Sequence, residues 1–156
     1  MFDMELFDVV RIPNKGGSIR CSVRKSVHLP VAGSVQSLLD LEDRLMLDKV
    51  RTFKCLSRRI NSIKQQLLGL IEAIESKGQK LAGYGASATV TTLLYHFEMT
   101  DVFDFLVDDN PRKHNTYSPD KHIPVYSSDV IYEQQADYVV ILAWPYAEVI
   151  VQKHKK

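Results

Sequence analysis

Gly83-Tyr84-Gly85-Ala86-Ser87-Ala88 constrains this chain more than any other stretch. It follows the short segment Lys80-Leu81-Ala82 and opens onto Thr89-Val90-Thr91-Thr92-Leu93-Leu94, whose pattern predicts a helix. Strand, glycine turn and helix are the parts with which an α/β domain presents backbone N–H groups to a phosphate. Glycine permits close approach, and the helix dipole favours negative charge at its N-terminus. A second apolar run, Phe103-Asp104-Phe105-Leu106-Val107, ends in Asp108. In a Rossmann-type unit an acid at about that spacing accepts from a ribose hydroxyl. The pattern points to a nucleotide or a nucleotide-linked substrate. Ala88 replaces the third glycine of G-x-G-x-x-G, so a tight turn needing glycine for steric reasons alone is the competing reading.

The rest of the chain alternates in the same way. From residue 79 the pattern predicts a strand at 80–83, a helix at 87–97 and a strand at 103–108. A loop at 109–122, an extended piece at Ile123-Pro124-Val125, a helix at 128–135, a strand at 137–143 and the start of a helix at 146–154 follow. Such alternation implies a parallel sheet with right-handed crossovers, here of three or four strands. Tyr138-Val139-Val140-Ile141-Leu142-Ala143 is continuously apolar, as a strand covered on both faces is. The fold class is therefore α/β: a small Rossmann-like parallel sheet with flanking helices over residues 79–156.

Two further segments precede it. Leu6 to Ile12 and Ser18 to Arg24 read as strands around Pro13-Asn14-Lys15-Gly16-Gly17, a hairpin within residues 1–30. A two-stranded hairpin is not stable alone, so another body must cover it. Residues 31–78 read as a helical connector. Ser34 is placed to cap a short helix to about Glu42. A longer helix follows, with apolar residues three or four apart from Met46 to Ile74 and Gly78 as its stop. At about 30 residues it would be roughly 45 Å long, the length of a connector or of a dimerisation helix.

Bulk composition narrows the function classes. The chain has 156 residues, 45% hydrophobic and 25% charged, with net charge +1, so no overall field draws it to nucleic acid or a membrane. The basic run from Arg44 to Lys64 lacks interleaved aromatics and reads as a solvated helix face. Its longest apolar run is too short to span a bilayer. Cys21 and Cys55 form no C-x-x-C pair, and the N-terminus shows no signal-peptide pattern, which points to the cytoplasm.

Chemistry-bearing residues gather in the loop after Asp108. Arg112 and Lys113 are suited to neutralise a phosphate, and Tyr117 and His122 to hydrogen-bond a sugar or phosphate; a solvated loop whose Asp108 merely tips the strand is the competing reading. Asp108, Asp109, His114 and His122 show no metal-ligand spacing, so no metal is expected. Ser87 does not lie in a G-x-S-x-G elbow, Cys55 sits on an apolar helix, and His28, His96 and His154 read as structural, so no catalytic residue is assigned. Trp144, at a strand end, is a candidate packing wall. The candidate binding set is Gly83, Tyr84, Gly85, Ala86 and Ser87 at the turn, with Asp108, Lys113, Tyr117, His122 and Trp144.

Four segments, Gly83 to Ala88, Val107 to Lys113, Tyr117 to Val125 and Asp137 to Trp144, together resemble the C-terminal domain of the bacterial S-adenosylmethionine-dependent sugar C-methyltransferases. The hairpin around Ile12 to Arg20 looks like the closing strands of that family's central methyltransferase domain. The resemblance implies that this chain is the nucleotide-sugar-binding portion of an enzyme acting on a deoxythymidine-diphosphate-linked keto-deoxysugar. It implies no cofactor bound by this chain itself: S-adenosylmethionine and the general base would belong to an N-terminal region, the implied partner. The chain departs from the family pattern at Thr89-Val90-Thr91, where Lys-Gly-Asn is usual, and at Pro145, where Asn follows the strand-end Trp. A Rossmann-like dinucleotide module, or a non-catalytic paralogue dimerising through the long helix, are the alternative readings.

Overall fold

The computed structural model describes residues 3–25, 29–119 and 121–155; His28, read above as structural, lies outside them. The chain forms two compact units, residues 1–60 and 61–156.

In the first unit, β1 (Met4–Ile12) pairs antiparallel with β2 (Ser18–Lys25), as the alternation of both segments requires. A 3-10 turn at Asn14–Gly16 joins them. The register shifts between Leu6 and Asp8, which frees the Phe7 carbonyl to accept from Ala32 N (2.8 Å). Helix α1 (Gly33–Leu45) starts after Ala32, not at a Ser34 cap. The Ser34 hydroxyl is used elsewhere: it donates to Asp8 Oδ1 (2.7 Å) and accepts from Val9 N (3.2 Å). A tertiary bond to the hairpin has replaced the local cap. Met46 adopts φ +53 and ends α1, so the longer helix, α2, starts at Val50 rather than at Met46 and runs over Val50–Glu75. At 26 residues α2 is about 39 Å long. It keeps Phe53, Leu56, Ile63 and Leu70 exposed.

The second unit takes in the rest of α2 and the α/β region. Its sheet is built from β3 (Leu81–Tyr84), β4 (Phe105–Val107), β5 (Thr116–Tyr117), β6 (Pro124–Tyr126) and β7 (Tyr138–Ile141), in the order β5-β6-β4-β3-β7. β3, β4, β6 and β7 are parallel. The sheet has five strands rather than three or four because Thr116–Tyr117, inside the expected loop, turns back antiparallel onto β6. Helix α3 (Ala88–Phe97) crosses from β3 to β4, α4 shrinks to Val130–Glu133, and α5 (Ala147–His154) follows β7.

Alternation along the strands sorts the core into two faces. Ala82, Tyr84, Phe105 and Val107 pack with Ile150 of α5 and with Val130 and Ile131 of α4. Gly83 belongs to the opposite face. A Cβ there would lie 2.5 Å from Leu106 Cδ2 and 2.8 Å from Leu142 Cδ1, so its missing side chain is space for those leucines. Among the described residues, no helix is long and apolar enough to cross a membrane.

Candidate functional site

The C-terminal ends of β3, β4 and β6 meet where open α/β sheets hold ligands. The turn after β3 is fixed by its neighbours. Gly85 N donates to Val107 O (2.7 Å), while Leu142 N and Ala143 N both donate to Tyr84 O (2.9 Å each). Gly85 has φ +119, and a Cβ would stand 2.8 Å from Ala143 Cβ and 3.0 Å from its nitrogen. Only glycine fits a chain pressed this closely against the end of β7. Ser87 then caps α3, its hydroxyl accepting from Val90 N (3.3 Å).

Asp108 occupies the centre of this end of the sheet. Its Oδ2 accepts from Ala86 N (2.9 Å) and from Lys113 Nζ (2.7 Å), and its Oδ1 from Asn110 N (2.9 Å). Burial pushes the carboxyl up, but Lys113 and the N–H groups of Asn110 and Ala86 outweigh it and hold it below the usual carboxylate value. The acid is thus already fully engaged with its own chain, and the turn N–H of Ala86 and the loop's Lys113 are taken together.

Beside this knot lies a cleft of 280 Å³ between α3 and the strand β5. Ala86, Ser87, Lys113 and Tyr117 line it, together with Thr91 of α3 and Thr116 and Ser118 around β5. Its floor is apolar, formed by Val90, Leu94, Leu106 and Val125. Thr91 stands one helical turn from Ser87, and Thr116 and Ser118 flank Tyr117. These spacings were the available signals for residues that the sequence reading passed over.

The remaining candidates lie elsewhere. Tyr84 points to the face of α5, since it neighbours Gly83 along a strand. Its hydroxyl donates to Asp109 Oδ1 (2.8 Å) and lies 3.2 Å from His154 Nε2. Lys153 Nζ donates to Asp109 Oδ1 (2.6 Å) and to Ser128 Oγ (2.9 Å). His154 Nδ1 meets the Tyr132 hydroxyl at 2.7 Å. Burial and the neighbouring Asp109 push the Tyr84 hydroxyl up, and Asp109 likewise raises Lys153. Burial also pushes Asp109 up, but Lys153 and Tyr84 outweigh it and hold it low. His122 sits at φ +54 at the far end of the loop, stacked edge-on to Tyr117 at 6.4 Å, and does not line the cleft. Trp144 is more than half exposed at the end of β7, also outside it. Among the described residues no group of three or more His, Cys, Asp or Glu is placed to hold a metal ion.

With this geometry in hand, comparison with known proteins places the chain. Residues 13–156 match the family described as the C-methyltransferase C-terminal domain. The chain belongs to that family. Over 99 residues it is also 28% identical to the C-methyltransferase NovU of Streptomyces niveus, a match covering 60% of this chain and 23% of NovU. The chain therefore aligns with less than a quarter of that relative's length. Within this C-methyltransferase C-terminal domain, the cleft beside Asp108 sits at the carboxyl ends of the parallel strands, the place in an open α/β sheet where ligands bind.

Proposed function

We propose that this domain holds a nucleotide-linked keto-deoxysugar in position for C-methylation by a methyltransferase region in the same enzyme. The observation that carries this is the cleft at the strand ends, lined by the apolar Val90, Leu94, Leu106 and Val125 and by the hydroxyl-bearing Thr91, Thr116, Tyr117 and Ser118. A deoxysugar offers both surfaces, hydroxyls on one side and bare carbon on the other. The role of this chain is then positioning. Holding the sugar carbon in a near-attack geometry supplies much of the rate that a bimolecular encounter lacks.

Titration calorimetry tests the reading directly. The full chain should bind a deoxythymidine-diphosphate-linked deoxysugar and should show no methyl transfer by itself. Failure to bind at millimolar ligand, or tighter binding of a nicotinamide dinucleotide, would overturn it. The exposed free thiols of Cys21 and Cys55 support a reducing, cytoplasmic setting. The exposed Phe53, Leu56, Ile63 and Leu70 support a further part for α2 in self-association.

A further inference from the structure

If a nucleotide-linked sugar is the ligand, its charged and uncharged parts compete for one small cleft, and this inference rests on that reading. A phosphate at the glycine turn would seek the Ala86 N–H and the Lys113 ammonium. Both are already bound to one oxygen, Asp108 Oδ2, at 2.9 and 2.7 Å. The carboxylate stands where the ligand's anion would stand. It is not free to swing away: Asn110 N holds its other oxygen at 2.9 Å, and its side chain is 13% exposed. Displacing it would strand a part-buried charge. The open space next to it carries no unmatched charge and is floored by Val90, Leu94, Leu106 and Val125.

We propose that the cleft receives an uncharged ring of the ligand, apolar on one face and hydrogen-bonding at its edge, and that Asp108 keeps phosphate out by neutralising the Lys113 charge and filling the Ala86 N–H. Asp108 is a positioning residue here, acting through Lys113 rather than by touching the ligand. The ring is either the deoxysugar or the base, and the chemistry they share is what the cleft selects.

The test is an NMR titration of the isotope-labelled full chain, followed at the amides of Ala86, Thr91, Thr116 and Tyr117. The probes are inorganic pyrophosphate, thymidine and a methyl 6-deoxyhexoside. Thymidine or the glycoside should shift the Thr91, Thr116 and Tyr117 amides, and which of the two does so identifies the ring. Pyrophosphate at millimolar concentration should leave all four unmoved. Asp108→Asn should gain affinity for pyrophosphate by at least about tenfold, equal to about 1.4 kcal/mol, while its affinity for the neutral probe changes far less. A merely structural role would weaken both probes alike. Pyrophosphate shifting Ala86 in the unmodified protein, or neither neutral probe shifting the cleft, overturns the proposal. So does a folded Asp108→Asn that gains nothing. If the variant does not fold, the unmodified protein decides by the same shifts. Should the intact nucleotide sugar bind while pyrophosphate competes at Ala86, only this inference fails. Should the nucleotide sugar not bind at all, the proposed function fails first.

Discussion

Asp109 Oδ1 and Lys153 Nζ lie 2.6 Å apart, joining the end of β4 to the last turn of α5. The pair is about half exposed, so its own ion-pair energy is small, about 0.2–1 kcal/mol. More depends on Asp109 as acceptor for Tyr84, whose ring is buried in the core. We expect Asp109→Ala to cost about 1–2 kcal/mol, and Lys153→Met clearly less, because only the first removes the carboxylate acceptor of the Tyr84 hydroxyl. Urea unfolding of both variants checks the order. Equal losses would show that the ion pair, not the tyrosine, matters.

Tyr84 and Tyr117 separate the two faces functionally. Tyr84 is turned toward α5, whereas Tyr117 lines the cleft. Tyr84→Phe should therefore leave nucleotide-sugar affinity unchanged while lowering stability by about 1 kcal/mol. Tyr117→Ala should do the reverse, weakening binding several-fold with stability changed by less than about 0.5 kcal/mol, as expected for an exposed side chain. Calorimetric binding and thermal unfolding on the same two samples distinguish them.

The acid stability of the domain follows from the same carboxylates. Asp108 and Asp109 are held below their ordinary value of 3.8, so the fold gains when they are ionised. That gain is complete above the ordinary value and is lost as pH falls through the lowered ones. Unfolding free energy should thus be flat near neutrality and drop steeply below about pH 4, with part of the slope missing in Asp108→Asn. On the alkaline side Tyr84 and Lys153 are raised, so their contribution persists to their ordinary values of 10.0 and 10.5 and falls above them. A denaturation series across pH reads both limbs.

Much of the architecture was legible because each feature has a local cause. The glycine turn, the apolar β7 and the 3.6-residue period of α3 are patterns within a few residues of one another. The two faces of β3 were also legible in principle, since Gly83 and Tyr84 are neighbours in a strand and must point apart. That alternation separates Tyr84 from the turn that Gly83 opens. β5 was not legible: two residues carry no periodicity, and only the pairing with β6 makes them a strand. The spacing of Asp108 predicts a ligand acceptor, but spacing says nothing of Lys113 folding back onto it five residues later. The contacts of Lys153 and His154 with Tyr84 span about seventy residues and leave no trace in any window of sequence.

Gly83 and Gly85 bear on how much of the turn is demanded by packing. At Gly83 an added methyl meets only the far ends of Leu106 and Leu142, which can rotate, so Gly83→Ala should cost about 1–3 kcal/mol by overpacking. At Gly85 the obstruction is the Ala143 backbone, and φ +119 adds about 1–3 kcal/mol of conformational strain on top. Gly85→Ala should therefore be the more destabilising of the two and should also displace the Ala86 N–H from Asp108. Thermal unfolding gives the first comparison, and the hydrogen-exchange rate of the Ala86 amide gives the second.

Ser34 offers the same kind of test in the other unit. Its hydroxyl bridges Asp8 and Val9 of β1, whereas a helix cap would have faced its own first turn. If the tertiary bridge is what matters, Ser34→Ala should cost about 1–2 kcal/mol, and Asp8→Ala a comparable amount, with the double variant costing little more than either alone. A cap would instead leave Asp8→Ala without effect and α1 frayed from its start. Amide exchange along Val35 to Leu38, measured beside the unfolding free energies, separates the two, because only loss of a cap exposes that first turn while the hairpin stays intact.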